Sequence, residues 1–411
     1  MSVNNQYAGN SLGLKKLALR LAINKANNED WLTEHYFILG VRPTGKNRTT
    51  YFTGAYPSAC GKTSTAMLPG QLIVGDDIAY LRIWEDGYTH AVNIEKGIFG
   101  IIKDVNPKDD PVIYEALITP RELIYSNVLI KDGKPYWLGM GKDHPKEGFN
   151  YSGSWFEGKT DENGNNILLA HPNARYTINL TDLSNCDPKL EDPNGVPIHG
   201  IFYGGRDSDT MPPVVESLSW EHGIFMGATI ESETTSATLG TVGVRKASPM
   251  ANLDFLVVPL GKYLKNHRKF GNQIKHCPKV FSTNYFLKSK EGKYLNGMLD
   301  KKVWVIWAEG RTQGDFDAIE TPIGYIPKYD DLKALFKLEL DKDYSQEDYT
   351  EQFKLKIKKL LDKLDRMEEM YKAEKDVPKF FWEVHTKQRS ELNKLLKKYG
   401  KDEILPSDLT F

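Results

Sequence analysis

Cysteine is scarce: Cys60, Cys186 and Cys277 are the only three in 411 residues. They are too few and too scattered for a disulfide framework or a CxxC metal site, and they point to a reducing compartment. An excess of one charge is also missing, since 54 Lys+Arg stand against 55 Asp+Glu for a formal net charge of −1. No global basic surplus marks a nucleic-acid or anionic-membrane partner, so any polyanion must be gripped locally. No apolar run approaches the ~20 residues of a membrane span. The opening MSVNNQYAGN lacks the basic and apolar blocks of a signal peptide. These absences predict a cytoplasmic chain with no membrane and no nucleic acid among its partners. Internal repeats and low-complexity tracts are absent too. What remains is 40% hydrophobic and 27% charged residues with 34 Gly and 21 Pro, a globular mixture that excludes collagenous, disordered and coiled-coil chains. The length allows two or three domains.

Leu12, Leu14, Leu17, Ala18, Leu21, Ala22 and Ile23 recur at helical spacing and predict a helix over 11–27. Tyr36–Leu39 and Thr49–Thr53, rich in β-branched and aromatic residues and separated by RPTGKN, predict two strands. The second runs straight into AYPSACGKTSTAML, a loop and short helix, after which Gln71–Val74 reads as a buried strand ending on Gly75-Asp76-Asp77. Residues 104–170, rich in Gly, Pro, Asn and Asp, predict loops and hairpins rather than a second core. From Pro197 to Thr238 apolar strands alternate with Gly-rich turns, and Trp304-Val305-Ile306-Trp307 predicts another buried strand, so an α/β core extends to about residue 330. Beyond it Phe353, Ile357, Leu360, Leu361, Leu364, Met367 and Tyr371 fall at the spacing of one amphipathic helix. The segment 331–411 carries 18 Lys/Arg and 18 Asp/Glu, and that balance reads as a solvated helix face rather than a membrane or nucleic-acid surface.

Pro57-Ser58-Ala59-Cys60-Gly61-Lys62-Thr63 after a β-rich run supplies what a polyphosphate needs: successive backbone N–H groups, a helix start, a lysine charge and a hydroxyl for a metal. It departs from the strict G-x-x-x-x-G-K-[ST] pattern because Tyr56 stands where the first glycine belongs. Asp76 and Asp77 lie about a dozen residues on, where the neighbouring strand of a P-loop fold brings a carboxylate near the phosphate-bound metal. The competing reading is an acidic turn capping a helix. Taken singly, Lys15-Lys16 would be a solvated pair and His35 a structural histidine. Cys60, beside a helix start and a lysine, is expected to have a lowered pKa and a reactive thiol, though no partnered base marks it as a nucleophile.

The stretches YAGNSLGLKK (7–16), WLTEH (31–35), YPSACGKT (56–63), VGDDIA (74–79), AHPNAR (170–175), GVPIHGIFYGGR (195–206), SWEHGIFMGATIESETTSAT (219–238) and TPIGYIP (321–327) occur in this order. Together they closely resemble the GTP-type phosphoenolpyruvate carboxykinases over most of residues 7–330. The resemblance is confined to the carboxy-terminal part of that family; the amino-terminal substrate-binding lobe is not matched. It implies an α/β fold, a P-loop-containing mixed-sheet core over 1–330 with a helical carboxy-terminal extension over 331–411.

The same resemblance implies a Mn2+-dependent lyase that decarboxylates oxaloacetate and transfers a phosphoryl group from GTP, giving phosphoenolpyruvate and CO2 in gluconeogenesis or anaplerosis. By position, Lys16, His35 and Asp77 match the Mn2+ ligands, with Lys16 a neutral amine. Thr63, with Asp76 close by, matches the group facing the nucleotide's Mg2+. Gly61, Lys62 and Ser64 belong to the phosphate cradle, Lys62 bridging the β- and γ-phosphates. Lys15 matches the neighbouring lysine that faces substrate and phosphate, and Ser58 and Cys60 match loop residues near the metal and substrate. Asn173, Arg175 and Arg206 match side chains that hold phosphoenolpyruvate and the phosphoryl in flight, and Ser232–Thr241, with Gly240, matches a closing lid. Of three aromatics around the guanine, Phe286 and Tyr294 in YFLKSKEGKYLNGMLD are kept and the third falls near Met298. That departure leaves pyrophosphate as an alternative donor, and the chain as a piece of a longer pyrophosphate-dependent carboxykinase. A non-catalytic polyphosphate-binding module that needs a partner chain or lobe is a further alternative.

Overall fold

The computed structural model describes residues 7–234 and 243–409, with side chains from residue 13 onward. Its centre is an eleven-stranded mixed sheet. The strand Val196–Gly205 lies at its heart, parallel to Thr50–Ala55 on one side and to Lys279–Asn284 on the other. Phe37–Val41 pairs antiparallel with Thr50–Ala55 and also with Leu72–Gly75. Thr50–Ala55 and Phe37–Val41 are buried at every residue. A strand covered on both faces has no reason to alternate polar and apolar residues, hence the near-continuous runs FILGV and TYFTGA. Because Thr50–Ala55 leads into the phosphate loop and Leu72–Gly75 into Asp76-Asp77, their common neighbour Phe37–Val41 brings both ends to one edge of the sheet.

The first helix spans Tyr7–Glu29, longer than the predicted 11–27. Leu19, Ala22, Ile23 and Ala26 are its buried face, while Leu14, Leu17 and Leu21 point outward. Leu19 and Ile23 form a small cluster with Ile78 and Phe255, which docks this helix beside Asp77. The strands predicted around RPTGKN and before Asp76-Asp77 occur within one or two residues of their expected places.

Two expectations are corrected. Trp304–Trp307 is not a strand but part of the helix Lys301–Gln313, whose residues 303–310 are all buried. A short wholly apolar run carries no period, so a buried helix and a buried strand look alike in sequence. The segment 104–170 does contain hairpins, such as Glu147–Asn150 with Gly153–Phe156. It also holds the helix Pro111–Ile118, and its Ile113, Tyr114, Trp137 and Trp155 join the main core.

The carboxy-terminal stretch forms the helices Tyr329–Leu340, Gln346–Phe353, Ile357–Lys372 and Lys379–Tyr399. The predicted stripe is real but divided: Phe353 ends one helix, and Ile357, Leu360, Leu364, Met367 and Tyr371 are buried along the next. Leu355–Lys356 breaks them apart by pairing with Glu403–Ile404. The last two pack on the helix Trp220–Ala228, with Phe381 5.0 Å from Phe225 and the Tyr371 hydroxyl donating to the Ala228 carbonyl at 2.8 Å. Among the described residues no helix is long and apolar enough to cross a membrane.

Candidate active site

The phosphate loop turns through two left-handed residues, Ala59 at φ 58° and Gly61 at φ 102°. At Gly61 an added Cβ would meet the Tyr285 ring at 3.0 Å, so both the torsion and the space call for glycine. Gly61 opens the short helix Lys62–Ala66 without a side-chain cap. Tyr56, in the place of the expected first glycine, is buried; its hydroxyl meets those of Thr283 at 2.8 Å and Tyr285 at 2.9 Å. The loop is thus fastened to the strand Lys279–Asn284 and the residue after it through phenols.

Lys62 reaches across to the acidic tip. Its ammonium pairs with Asp77 at 2.5 Å and Asp76 at 3.3 Å, and donates to the Asp76 carbonyl. Thr63 donates to the same Asp76 carboxylate at 3.3 Å, and the other Asp76 oxygen is buried with no partner. Ser64 is tied to the Gly61 carbonyl at 3.2 Å. Ser58 is exposed at the loop's outer edge.

Asp77 also gathers the amine and the imidazole. His35 Nε2 lies 2.8 Å from Asp77 Oδ1 and 3.1 Å from Lys15 Nζ, and Lys15 is ion-paired with Asp77 Oδ2. The amine in contact with His35 and Asp77 is that of Lys15, the neighbour of the expected ligand Lys16. Lys15, Leu19 and Ile23 recur every four residues on one face of the first helix, the face packed on Ile78 and Phe255. Lys16 is turned ~100° away by the helix and has no hydrogen bond or ion pair among the described residues.

Burial, then the Lys62 charge, brings the Lys15 amine down to about 7, with Glu95 and Asp76 opposing and Arg175 assisting. Burial is also the main force holding His35 well below its ordinary range, with Lys15 and Lys62 adding to it. The ring is therefore neutral, with one proton for two acceptors: the Ala251 carbonyl 3.3 Å from Nδ1 and the Asp77 carboxylate 2.8 Å from Nε2. With that proton on Nδ1, the Nε2 lone pair and the carboxylate can share a cation, and the Lys15 amine lies within reach of both. No three His, Cys, Asp or Glu side chains cluster as a metal site among the described residues, so a cation held here would need the Lys15 nitrogen beside His35 and Asp77. An easily deprotonated amine, a neutral imidazole and a carboxylate suit a divalent ion.

Arg206 joins the loop to the aromatic pair. Its guanidinium donates to the Ala59 carbonyl at 2.7 Å, lies over the Phe286 ring and reaches the Tyr294 hydroxyl at 3.5 Å. Phe286 and Tyr294 meet edge to face at 6.4 Å, and Met298 is exposed. Arg175 donates to Asn173 at 3.0 Å and rests over Phe99. Cys60 departs from expectation: burial pushes its thiol up, outweighing contacts with Ser232 and Arg206 that pull the other way. Lys62 turns toward the aspartates, and Cys60 Sγ is closed over by Ser232 Oγ at 3.0 Å. Of the expected lid, 235–241 lies outside the described residues.

Sequence reasoning missed Glu95, whose carboxyl is pushed up by burial against the pull of Lys15 and Lys62. It also missed Phe255, which packs on His35 at 5.0 Å, and the Ala251 carbonyl that faces His35 Nδ1 at 3.3 Å. Glu95 stands two residues beyond the strand Thr89–Asn93, a position that hints at a strand-end acid. Nothing local marks the other two.

The model of the phosphoenolpyruvate carboxykinase C-terminal P-loop domain matches residues 31–391. The phosphoenolpyruvate carboxykinase [GTP] of Thermococcus kodakarensis is 54% identical over 402 residues, covering 97% of this chain and 64% of that protein. The enzyme of the same name from Pyrococcus abyssi is 53% identical over 411 residues, covering 99% and 66%, and that of Saccharolobus solfataricus 47% over 407 residues, covering 98% and 65%. The chain therefore spans 64% to 66% of the length of these relatives.

Proposed function

The chain belongs to the phosphoenolpyruvate carboxykinase family, and on that premise we propose that its site serves the decarboxylation of oxaloacetate coupled to phosphoryl transfer from GTP, yielding phosphoenolpyruvate and CO2. The observation that carries this reading is the meeting of the Lys15 amine, the His35 imidazole and the Asp77 carboxylate beside the phosphate-loop lysine. Within it, residues 1–330 form the phosphate-, metal- and substrate-binding unit and 331–411 its helical extension.

Lys15, His35 and Asp77 would hold Mn2+, while Thr63 with Asp76 would face the Mg2+ that accompanies GTP. A divalent ion so held supplies Lewis acidity for the negative charge that loss of CO2 leaves on the substrate oxygen. The chain's own groups do the rest. Carbon–carbon cleavage gives an enolate, whose oxygen attacks the terminal phosphorus of GTP as the bond to the β-phosphate oxygen breaks. Lys62, now paired with Asp76 and Asp77, turns to the polyphosphate, and Gly61 and Ser64 shape the cradle. Arg175 and Arg206 neutralise the oxygens of substrate and transferring group, which is where phosphoryl transfer gains most. Asn173 orients Arg175. Ser58 and Cys60 line the loop, and the Cys60–Ser232 contact keeps bulk water from an enolate that a stray proton would turn into pyruvate. Phe286 and Tyr294 would flank the base.

The test is CO2 release from oxaloacetate with Mn2+ and GTP, ATP or pyrophosphate, run with the chain alone and with the portion of its relatives that it does not match. GTP-dependent release is expected. Release with pyrophosphate but not GTP would transfer the reading to a base-free donor, and silence with every donor in both arrangements would overturn it.

A further inference from the structure

Cations of the helix Ile357–Lys372 reach the acidic residues that neighbour Arg206. Arg366 makes a two-pronged pair with Glu231, at 2.6 and 2.8 Å, and the Glu231 side chain is only 4% exposed. Two turns earlier on the same face, Lys359 pairs with Asp209. Asp209 is also held by Arg245 at 2.9 Å, and Arg245 grips Asp207, the residue after Arg206, at 2.9 Å.

Those acids lead directly to the phosphate loop. Glu231 opens the strand Glu231–Glu233, in which successive side chains face opposite ways. Glu231 faces Arg366, and Ser232 faces the loop, its oxygen 3.0 Å from Cys60 Sγ and accepting from the Arg206 N–H at 3.4 Å. The Glu233 N–H donates to the Arg206 carbonyl at 2.9 Å, and the Arg206 guanidinium ends on the Ala59 carbonyl at 2.7 Å. Contacts thus run unbroken from the carboxy-terminal helix to the phosphate loop.

We propose that Arg366, supported by Lys359, is a positioning residue for the phosphate loop and Arg206. A carboxylate buried as Glu231 is must stay paired, turn out to water or take a proton. Loss of Arg366 removes the cation hydrogen-bonded to Glu231; the carboxylate must then shift toward the nearby Lys363 or Arg245 charges, turn out or take a proton, and each moves Ser232, its neighbour in the strand. Cys60 then loses its cover, and Arg206 its backbone anchor. The functional meaning rests on the carboxykinase reading, but the geometry does not, so the test reads geometry first.

The experiment is the rate at which Ellman's reagent labels Cys60 in the whole chain, resolved from Cys186 and Cys277 by peptide mapping. Arg366→Met is expected to raise the Cys60 rate about tenfold by weakening a charge-assisted pair that keeps the site closed, and Arg366→Lys to restore most of the protection. Arg389→Gln removes a guanidinium that pairs with Asp365 and Glu368 on the same helix but touches none of the acids beside Arg206; it should leave the rate unchanged. An unaltered rate in Arg366→Met, or an equal rise in Arg389→Gln, overturns the proposal. If Arg366→Met does not fold, Lys359→Gln, altering a 44% exposed side chain, should give a smaller rise, and no rise overturns it. In turnover, Arg366→Met should raise KM for the phosphate donor more than KM for oxaloacetate, and a uniform loss of kcat with both KM values intact would speak against positioning.

Discussion

The guanidinium carbon of Arg206 stands 3.7 Å above the centre of the Phe286 ring, while the same group is hydrogen-bonded to the phosphate loop. One cation therefore links the loop at Ala59 to the aromatic pair, and a base stacked on Phe286 would be felt at Ala59. Phe286→Ala should weaken GTP binding about tenfold, the scale of one aromatic or cation–π contact, and leave pyrophosphate binding unchanged. Calorimetric titration with both ligands checks this; equal losses would remove Phe286 from base recognition.

The amine beside His35 separates two neighbouring lysines. Lys15→Met should weaken Mn2+ binding at least as much as His35→Ala, roughly tenfold or more, whereas Lys16→Met should change it little. Titration followed by the electron paramagnetic resonance of free Mn2+ gives the comparison. A larger effect at Lys16 would return the ligand role to that residue.

Lys62 has a structural duty as well as its proposed one. With its ammonium between Asp76 and Asp77, Lys62→Met takes from Asp76 its ion pair and leaves Asp77 to Lys15 and His35. Phosphoryl transfer should be abolished, and without divalent metal the variant should lose roughly 1–3 kcal/mol of stability. Added Mn2+ should restore much of that loss by replacing the missing positive charge. Thermal melts with and without the ion test it, and a melting temperature insensitive to Mn2+ would contradict the shared-cation reading.

His222 gives a pH dependence away from the site. Burial, with Lys387 adding to it, lowers its imidazole from 6.5 to about 4, and its Nδ1 accepts the Leu218 N–H at 2.9 Å. Between those values the unfolded chain binds a proton that the folded one refuses. This contribution is whole above pH 6.5 and is lost as pH falls toward 4, about 3 kcal/mol in all. His222→Gln, which keeps an acceptor for Leu218, should flatten the stability profile over this window. An unchanged slope in denaturant unfolding would assign the acid sensitivity elsewhere.

The phosphate loop and the acids after it could be read from the sequence because each is a local event. A strand delivers the chain into a glycine turn at Gly61, and four residues of apolar strand end on Asp76-Asp77. The fully buried strands betrayed themselves by unbroken β-branched and aromatic runs. Even the contact of Lys15 with Asp77 was implicit in the spacing to Leu19 and Ile23, since helical phase puts Lys15 on their packed face. The Trp304–Trp307 run had no period to disclose its helix.

What only the tertiary structure decided depends on which distant surfaces meet. The Ala251 carbonyl faces His35, and Ser232 covers Cys60, so that a thiol expected to ionise easily is instead held back by burial. Arg366 and Lys359 sit in what reads as a balanced, solvated charge pattern, yet they lie against Glu231 and Asp209 more than a hundred positions away. Helix and strand periods report which way a residue faces; its electrostatic partner is set by desolvation and packing among segments that the linear order keeps apart.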